Sequence, residues 1–495
     1  MKRSLLLLAS LALLPPVSAQ EKPRPNVLLI CVDDLKPAIG AYGDTLAITP
    51  NLDRLAARGM RFDYAYCNQA VCAASRNNLL LGSRSTSLGI YDLSQNFRKA
   101  VPDAVTLPQY FMKNGYRAEA VGKILHTGHG NTDDAASWSV PTITEKVVEY
   151  LNPASSAGGK LTREEAFFSN KELGRIGQLP KGAAWEIGDV ADNGYSDGRI
   201  ADEGIKRLQA ARERKDTPFF LALGFTKPHL PFTAPRKYWD LHVPKKFKLA
   251  ENTRPPRDAP PVAGKRGGEI TNYEPIPDSG EVADEVARKL IHGYYAATSY
   301  MDAQLGRVLD ELDRQNLWDN TIIVLWGDHG WHLGDHGIWT KHTNYEQANR
   351  IPLLIVAPGM KPGSTRQLTE TVDVYPTLAE LAGLPKPAVP QPVDGLSLVP
   401  VLKDSSVKLR DHAYHCFPRG EGRIGRAIRT ERYRFVEWKK PGAPAGEAKI
   451  ELYDYQDDPT ERQNLAAKNP EIVSELRAIL ARHPEAEPVP LARKK

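Results

Sequence analysis

Three carboxylates in this chain follow directly on apolar runs: Asp33 and Asp34 after "NVLLICV", and Asp328 after "TIIVLWG", with His329 beside it. If the two runs lie side by side, the carboxylates converge and each makes the next harder to ionise. A hard divalent cation relieves that repulsion; calcium takes several carboxylate oxygens, and magnesium takes fewer with stricter geometry. His329 pulls the other way, because imidazole suits zinc and other transition metals. Any one of these aspartates caps a turn or helix as readily as it binds an ion, so the chemistry depends on convergence. Cys72 raises a separate question. It stands four places before Arg76 in "NQAVCAASRNNLLLGSR", at what reads as a helix start, and is either a buried thiol or the source of a nucleophile.

Both apolar runs read as buried parallel strands with acidic groups at their C-terminal ends, the edge at which open α/β sheets bind ligands. "TLPQYFMKNGYRAEAVGKILHTG" predicts a helix stopped near Gly115, a short strand, and a loop carrying Lys123 and His126. "TPFFLALGFTKPHLPF" predicts a buried strand and a Pro-rich loop presenting His229, and "SYMDAQLGRVLDELDRQNL" has the spacing of an amphipathic helix. This alternation predicts an α/β fold built on a large mixed, mostly parallel sheet sandwiched by helices. The Pro-rich "AGLPKPAVPQPVDG" after the helix "PTLAELAGL" marks a boundary, giving a catalytic domain at 22–388 and a C-terminal α+β subdomain at 389–495. In the latter, "GRAIRTERYRFVEW" and "IELYDYQDDPTERQNLA" predict antiparallel strands, and "PEIVSELRAILARH" a closing helix. Stretches 145–190 and 245–285, rich in proline and charge, read as surface insertions.

The opening "MKRSLLLLASLALLPPVSAQ" joins two basic residues, an apolar run and Val17-Ser18-Ala19, the pattern of a secretory signal peptide over residues 1–19. The run is too short to span a membrane, so the expectation is an exported protein, periplasmic or secreted, with no stable membrane insertion. Lys and Arg total 65 against 60 Asp and Glu, well mixed, which argues against nucleic acid as a partner. Four cysteines are too few for a disulfide framework in a chain of this length. The absence of CxxC, GxSxG, HExxH and phosphate-loop motifs removes several common enzyme classes.

The ordered set "VDD", "CAASR", "GKILH", "KPHLPF", "GDHGWHLGDHG" and "TKH" resembles the type I sulfatases of the alkaline phosphatase superfamily, most closely the iduronate-2-sulfatase-like branch. The resemblance extends to "TPNLDRLAARGMRF", "VDVYPTLAELAGLP" and "ELYDYQDDPTERQNLA", and so covers nearly the whole chain after its first residues. It implies an alkaline phosphatase-like fold and a sulfuric ester hydrolase. It also implies that Cys72 is converted after synthesis to formylglycine by a maturation enzyme. One hydroxyl of the hydrated aldehyde then attacks sulfur, and the other later expels sulfate by regenerating the aldehyde. Ala74 departs from the family's C-x-P-x-R motif, which bears on which maturation enzyme acts.

Carried over residue by residue, the resemblance implies a metal site of Asp33, Asp34, Asp328 and His329 with residue 72, holding one divalent cation, calcium first and magnesium second. Arg76 and Lys123 match groups that hold the nucleophile and the sulfate. His126 matches the partner of the second hydroxyl, and His229, beside Lys341, the group that protonates the leaving sugar oxygen. The implied substrate is a sulfated carbohydrate, such as a 2-O-sulfated uronic acid of a glycosaminoglycan or algal polysaccharide. Cys67 reads as structural. His332 and Trp331 are candidates for a pocket wall, His336 and His342 read as loop packing and surface hydrogen bonding, and Arg419, Arg423 and Arg426 fit either substrate anions or solvated strand faces. Two other readings stay open: a phosphodiesterase or phosphonate monoester hydrolase of the same superfamily, and a binding protein whose Cys72 is never matured.

Overall fold

The computed structural model describes residues 24–214 and 216–489, so the signal-peptide segment lies outside the described residues. A seven-stranded sheet is built from β1 (Asn26–Val32), β2 (Met60–Phe62), β3 (Arg117–Gly122), β4 (Phe219–Phe225), β5 (Thr321–Gly327), β6 (Leu353–Val356) and β7 (Gly363–Thr365). Its spatial order is β7-β2-β6-β5-β1-β4-β3. The half from β5 to β3 is parallel, β6 runs antiparallel to both β5 and β2, and β7 is parallel to β2, the mixed but mostly parallel sheet expected.

Alternation along β1 explains why helices cover both faces. Val27, Leu29 and Cys31 pack with Leu79, Leu80, Tyr375 and Leu378, carried by α1 (Cys72–Leu81) and a helix at Val374–Leu381. Leu28, Ile30 and Val32 pack on the opposite face with Ile200, Leu208, Met301, Leu305 and Leu309, from α2 (Ser196–Glu213) and α3 (Asp284–Arg314). Each such side chain, fully buried, contributes about 1.5–3 kcal/mol of transfer free energy. Helix α3 starts well before the amphipathic stretch legible in the sequence, because nearly every residue from Leu290 to Met301 is buried and no polar face marks that half.

Beyond the large sheet, β8 (Ala413–Arg419), β9 (Arg423–Arg429), β10 (Tyr433–Lys439) and β11 (Lys449–Asp454) form an antiparallel four-stranded sheet, and α4 (Pro470–Leu480) packs on Tyr414, Ile428, Phe435 and Leu452. All four cysteines are free and buried. Among the described residues no helix is long and apolar enough to cross a membrane.

Candidate active site

Strand register brings the reactive residues together. Val32 of β1 lies opposite Gly327 of β5 and Phe225 of β4, and Gly122 of β3 lies opposite Gly224. The residues that follow therefore emerge at one level: the Asp33 amide donates to Phe225 O at 3.2 Å, Asp328 to Val32 O at 3.1 Å, and Lys123 to Gly224 O at 2.9 Å. At the β3–β4 turn-out only glycine fits, since a Cβ on Gly122 would lie 2.2 Å from Gly224 O. Asp34 adopts φ +59°, a conformation uncommon outside glycine, and its amide donates to Asp328 Oδ1 at 2.9 Å.

Cys72 opens α1, a helix with every residue buried, and its Sγ is 3.2 Å from His329 Nε2. One turn on, Arg76 is fully buried, its Nη2 3.1 Å from Asp33 Oδ1 and 3.0 Å from Asp328 Oδ2. Lys123 is ion-paired to Asp33 through Oδ2. Lys341 Nζ is 3.1 Å from Asp34 Oδ1 and 2.6 Å from Glu269 Oε2. Donor atoms of Asp33, Cys72, Asp328 and His329 all lie within 4.8 Å of one another, and those of Asp34, Cys72 and His229 do likewise. Asp34 stands at the edge of the first group, its Oδ1 3.4 Å from His329 Nδ1.

The buried charges push one another apart. Burial alone raises Asp33, but Lys123, His229 and Arg76 outweigh it and hold its carboxyl well below the usual range. Asp34 goes well above that range, through burial and then the charges of Asp33, Glu269 and Asp328. Asp328 is pushed up to about 7 by burial and by Asp33. Burial, with the Lys341 ammonium, pushes both His229 and His329 well below the ordinary histidine value. Three buried carboxylates, two of them held from ionising, fit a hard cation. The Cys72 sulfur is a poor ligand for such an ion; oxygen at that position would leave the His329 nitrogen as the one donor in the set that is not oxygen.

His126 Nε2 is 3.1 Å from His129 Nδ1, while its own Nδ1 is buried with no hydrogen-bond partner among the described residues. The Phe168 ring packs against Lys123 Nζ at 4.8 Å, His126 at 5.5 Å and His229 at 5.4 Å. The His229 loop is held from below: Asp197 of α2 accepts from the amides of Thr226 and Lys227, and Lys227 Nζ donates to His229 O and Pro231 O at 2.9 and 2.8 Å. Trp331 is buried with Lys341 Nζ 5.0 Å from its ring centre, and His332 is buried against Thr343.

The structure thus brings Asp33, Asp34, Cys72, Arg76, Lys123, His229, Asp328, His329 and Lys341 to one strand edge. Three expectations need correcting. The stretches at 145–190 and 245–285 are not only surface, since Glu164, Ile270 and Tyr273 are buried and Glu269 reaches Lys341. His336 is buried, its Nε2 3.0 Å from Thr460 O, rather than at the surface. Arg426 is buried against Glu437 at 3.3 Å rather than solvated, and Arg419 donates only to backbone carbonyls, among them His342 O at 2.7 Å. Glu269, Glu164, His129 and Phe168 were missed. The one sequence signal for Glu269 is two glycines before it and the apolar Ile270 and Tyr273 after it, a turn that re-enters the core.

Residues 25–384 match the family described as Sulfatase, and residues 334–485 match "N-sulphoglucosamine sulphohydrolase, C-terminal". The chain belongs to the sulfatase family. It is a sulfuric ester hydrolase of the alkaline phosphatase superfamily. The iduronate 2-sulfatase of Mus musculus is 35% identical over 399 residues, covering 73% of this chain and 69% of the mouse protein. Among solved structures, a complex with its substrate D-glucosamine-2-N,6-O-disulfate is 22% identical, covers 93% of this chain and 97% of its own, and superposes with a TM-score of 0.71. A phosphonate monoester hydrolase from Silicibacter pomeroyi shares the fold with a TM-score of 0.73 at 21% identity, covering 93% of this chain and 95% of its own. These two likenesses speak to fold alone.

Proposed function

We propose that this sulfatase is exported and formylglycine-dependent, and that it hydrolyses an O-sulfate ester on a carbohydrate, with a 2-O-sulfated uronic acid or related sugar of a glycosaminoglycan or algal polysaccharide as substrate class. The observation that carries the reading is the setting of Cys72: first residue of a buried helix, 3.2 Å from His329, with Arg76 one turn on bridging Asp33 and Asp328. A structural thiol has no use for that company. Matured to formylglycine, residue 72 supplies the nucleophile. Asp33, Asp34, Asp328, His329 and residue 72 would hold one calcium ion, with magnesium as second choice, which when bound polarises a sulfate oxygen.

The remaining roles fall to side chains already fixed in place. Arg76 and Lys123 oppose the negative charge that develops on sulfate. His126, with Nε2 engaged by His129, takes a proton at Nδ1. His229 protonates the departing sugar oxygen, and Lys341, anchored to Asp34, steadies that oxygen. The iduronate 2-sulfatase likeness supports the uronic acid class. The N-terminal signal pattern supports export, and the departure at Ala74 supports a maturation enzyme tolerant of alanine. We read 22–388 as the catalytic unit and 389–495 as the C-terminal subdomain.

The test is the mass of the tryptic peptide from Phe62 to Arg76, taken from protein made beside a maturation enzyme that accepts alanine. An aldehyde in place of the Cys72 thiol, with release of sulfate from 2-O-sulfated uronic acids, is expected. Cys72→Ala should then lower turnover at least about a thousandfold while leaving the fold intact. Unchanged turnover in that variant sinks the mechanism.

A further inference from the structure

Glu269 lies in the 245–285 stretch, far in sequence from every strand end of the large sheet, yet its carboxylate spans the two groups expected at the leaving oxygen. Oε2 is 2.6 Å from Lys341 Nζ, and Oε1 is 3.1 Å from His229 Nε2. The placement is built rather than incidental. Gly267 and Gly268 turn the chain with φ +60° and +94°, Glu269 follows, and Ile270, Tyr273 and Ile276 anchor the segment among Leu290, Tyr294 and Trp331. Nearby Glu164 is held by Asn272 at 2.5 Å and pushed up to about 8 by burial and by Glu269 beside it.

Proton counting makes the His229 contact informative. Nδ1 is 2.6 Å from Leu230 O, which can only accept, so Nδ1 carries a proton. A neutral ring then leaves Nε2 bare 3.1 Å from the carboxylate oxygen Oε1, which has no hydrogen-bond partner among the described residues. A carboxylate at that distance favours a second proton on the ring at Nε2, against the burial and the Lys341 ammonium that oppose it.

We propose that Glu269 is a positioning residue for the leaving-group side of the site: it favours uptake of a transferable proton at His229 Nε2 and fixes the spacing of His229 and Lys341. The inference rests on the reading of His229 as the proton donor given above. As the sulfur–oxygen ester bond breaks, its electron pair passes to the sugar oxygen. The proton on Nε2 moves to that oxygen, and water later returns a proton to Nε2. Glu269 stays paired with Lys341 throughout.

The experiment uses the matured full-length enzyme and a series running from nitrophenyl sulfate through phenyl sulfate to methoxyphenyl sulfate. Glu269→Gln keeps the shape and removes the charge; Glu269→Asp keeps the charge. The expected result is a kcat loss that grows along the series, about tenfold or more greater on methoxyphenyl than on nitrophenyl sulfate, with Glu269→Asp recovering part of the slope. A merely structural role lowers all three substrates by one factor, and that uniform loss in both variants, at an unchanged unfolding midpoint, overturns the proposal. An effect on KM alone overturns it too. If the aldehyde-bearing wild type cleaves neither this series nor a 2-O-sulfated uronic acid, the reading given above fails together with this one, an outcome distinct from a uniform loss.

Discussion

His229 has Leu230 O at Nδ1 and Glu269 3.1 Å from Nε2, and truncating it removes a proton donor while leaving Arg76 and Lys123 in place on Asp33. A poor leaving group needs that proton and an activated one does not. His229→Ala is therefore expected to lower kcat on sugar sulfates by about 10²–10⁴ while costing nitrophenyl sulfate about tenfold or less. Equal losses on the two substrates would take His229 out of the acid role. Single residues differ in how legible they are. Asp33, Asp34 and Asp328 announce themselves as carboxylates directly after buried apolar runs, where a soluble loop has no reason to follow so abruptly. Glu269 carries the same charge, but the four residues before it are lysine, arginine and two glycines, which composition alone assigns to solvent. Arg426 fails as a solvated residue for a related reason: its partner Glu437 comes from the facing strand β10, and cross-strand pairing is set by register rather than by the local string.

Among the elements, α1 bears most directly on chemistry because its first turn contains both Cys72 and the departure at Ala74. Residue 74 is third in the helix, and the first backbone bond back to the preceding chain is made by Ser75, whose amide donates to Val71 O at 2.8 Å. The Ala74 amide thus belongs to the first-turn donors that a helix leaves unpaired, where proline is tolerated. Ala74→Pro is expected to change stability by less than about 1.5 kcal/mol in chemical unfolding and to raise the fraction of Cys72 matured in a host whose enzyme requires proline. A collapse in stability would mean that packing around fully buried Ala74 leaves no room for the ring. The sequence showed where α1 starts, through the Cys-to-Arg spacing, and Gly82, at φ +69°, ends it. It did not show the full length of α3, whose stretch from Leu290 to Met301 has no exposed face and hence no 3.6-residue pattern to read. Strands β1, β4 and β5 were legible because burial on both faces leaves uninterrupted apolar runs. The short strands β2 and β7 at the opposite edge were not, being three residues each.

For the molecule as a whole, the large sheet aligns three strand ends, and the antiparallel sheet closes against the same region. Arg429 and Arg434 from β9 and β10 pair with Glu346, just past Lys341, and Arg434 also binds buried Glu461. The three carboxylates are held close together by buried elements on all sides, which couples the cation to global stability. Asp328 keeps its proton in the folded protein up to about pH 7, while in the unfolded chain it releases it near 3.8, and Asp34 shifts in the same direction. Between those values the folded state binds more protons than the unfolded one, so this contribution to stability is present at low pH and is lost as pH rises toward 7. Asp33, held low by Lys123 and its neighbours, titrates below this window and does not offset the trend. A cation binds the ionised carboxylates and competes with those protons, so its stabilising effect grows over the same interval. The gap in unfolding midpoint between calcium-loaded and chelator-stripped protein is accordingly expected to widen by roughly 2–4 °C from pH 5 to pH 7.5, with sulfatase turnover lost on stripping and restored by calcium. A gap that stays constant or narrows with pH would mean that these carboxylates do not hold the ion.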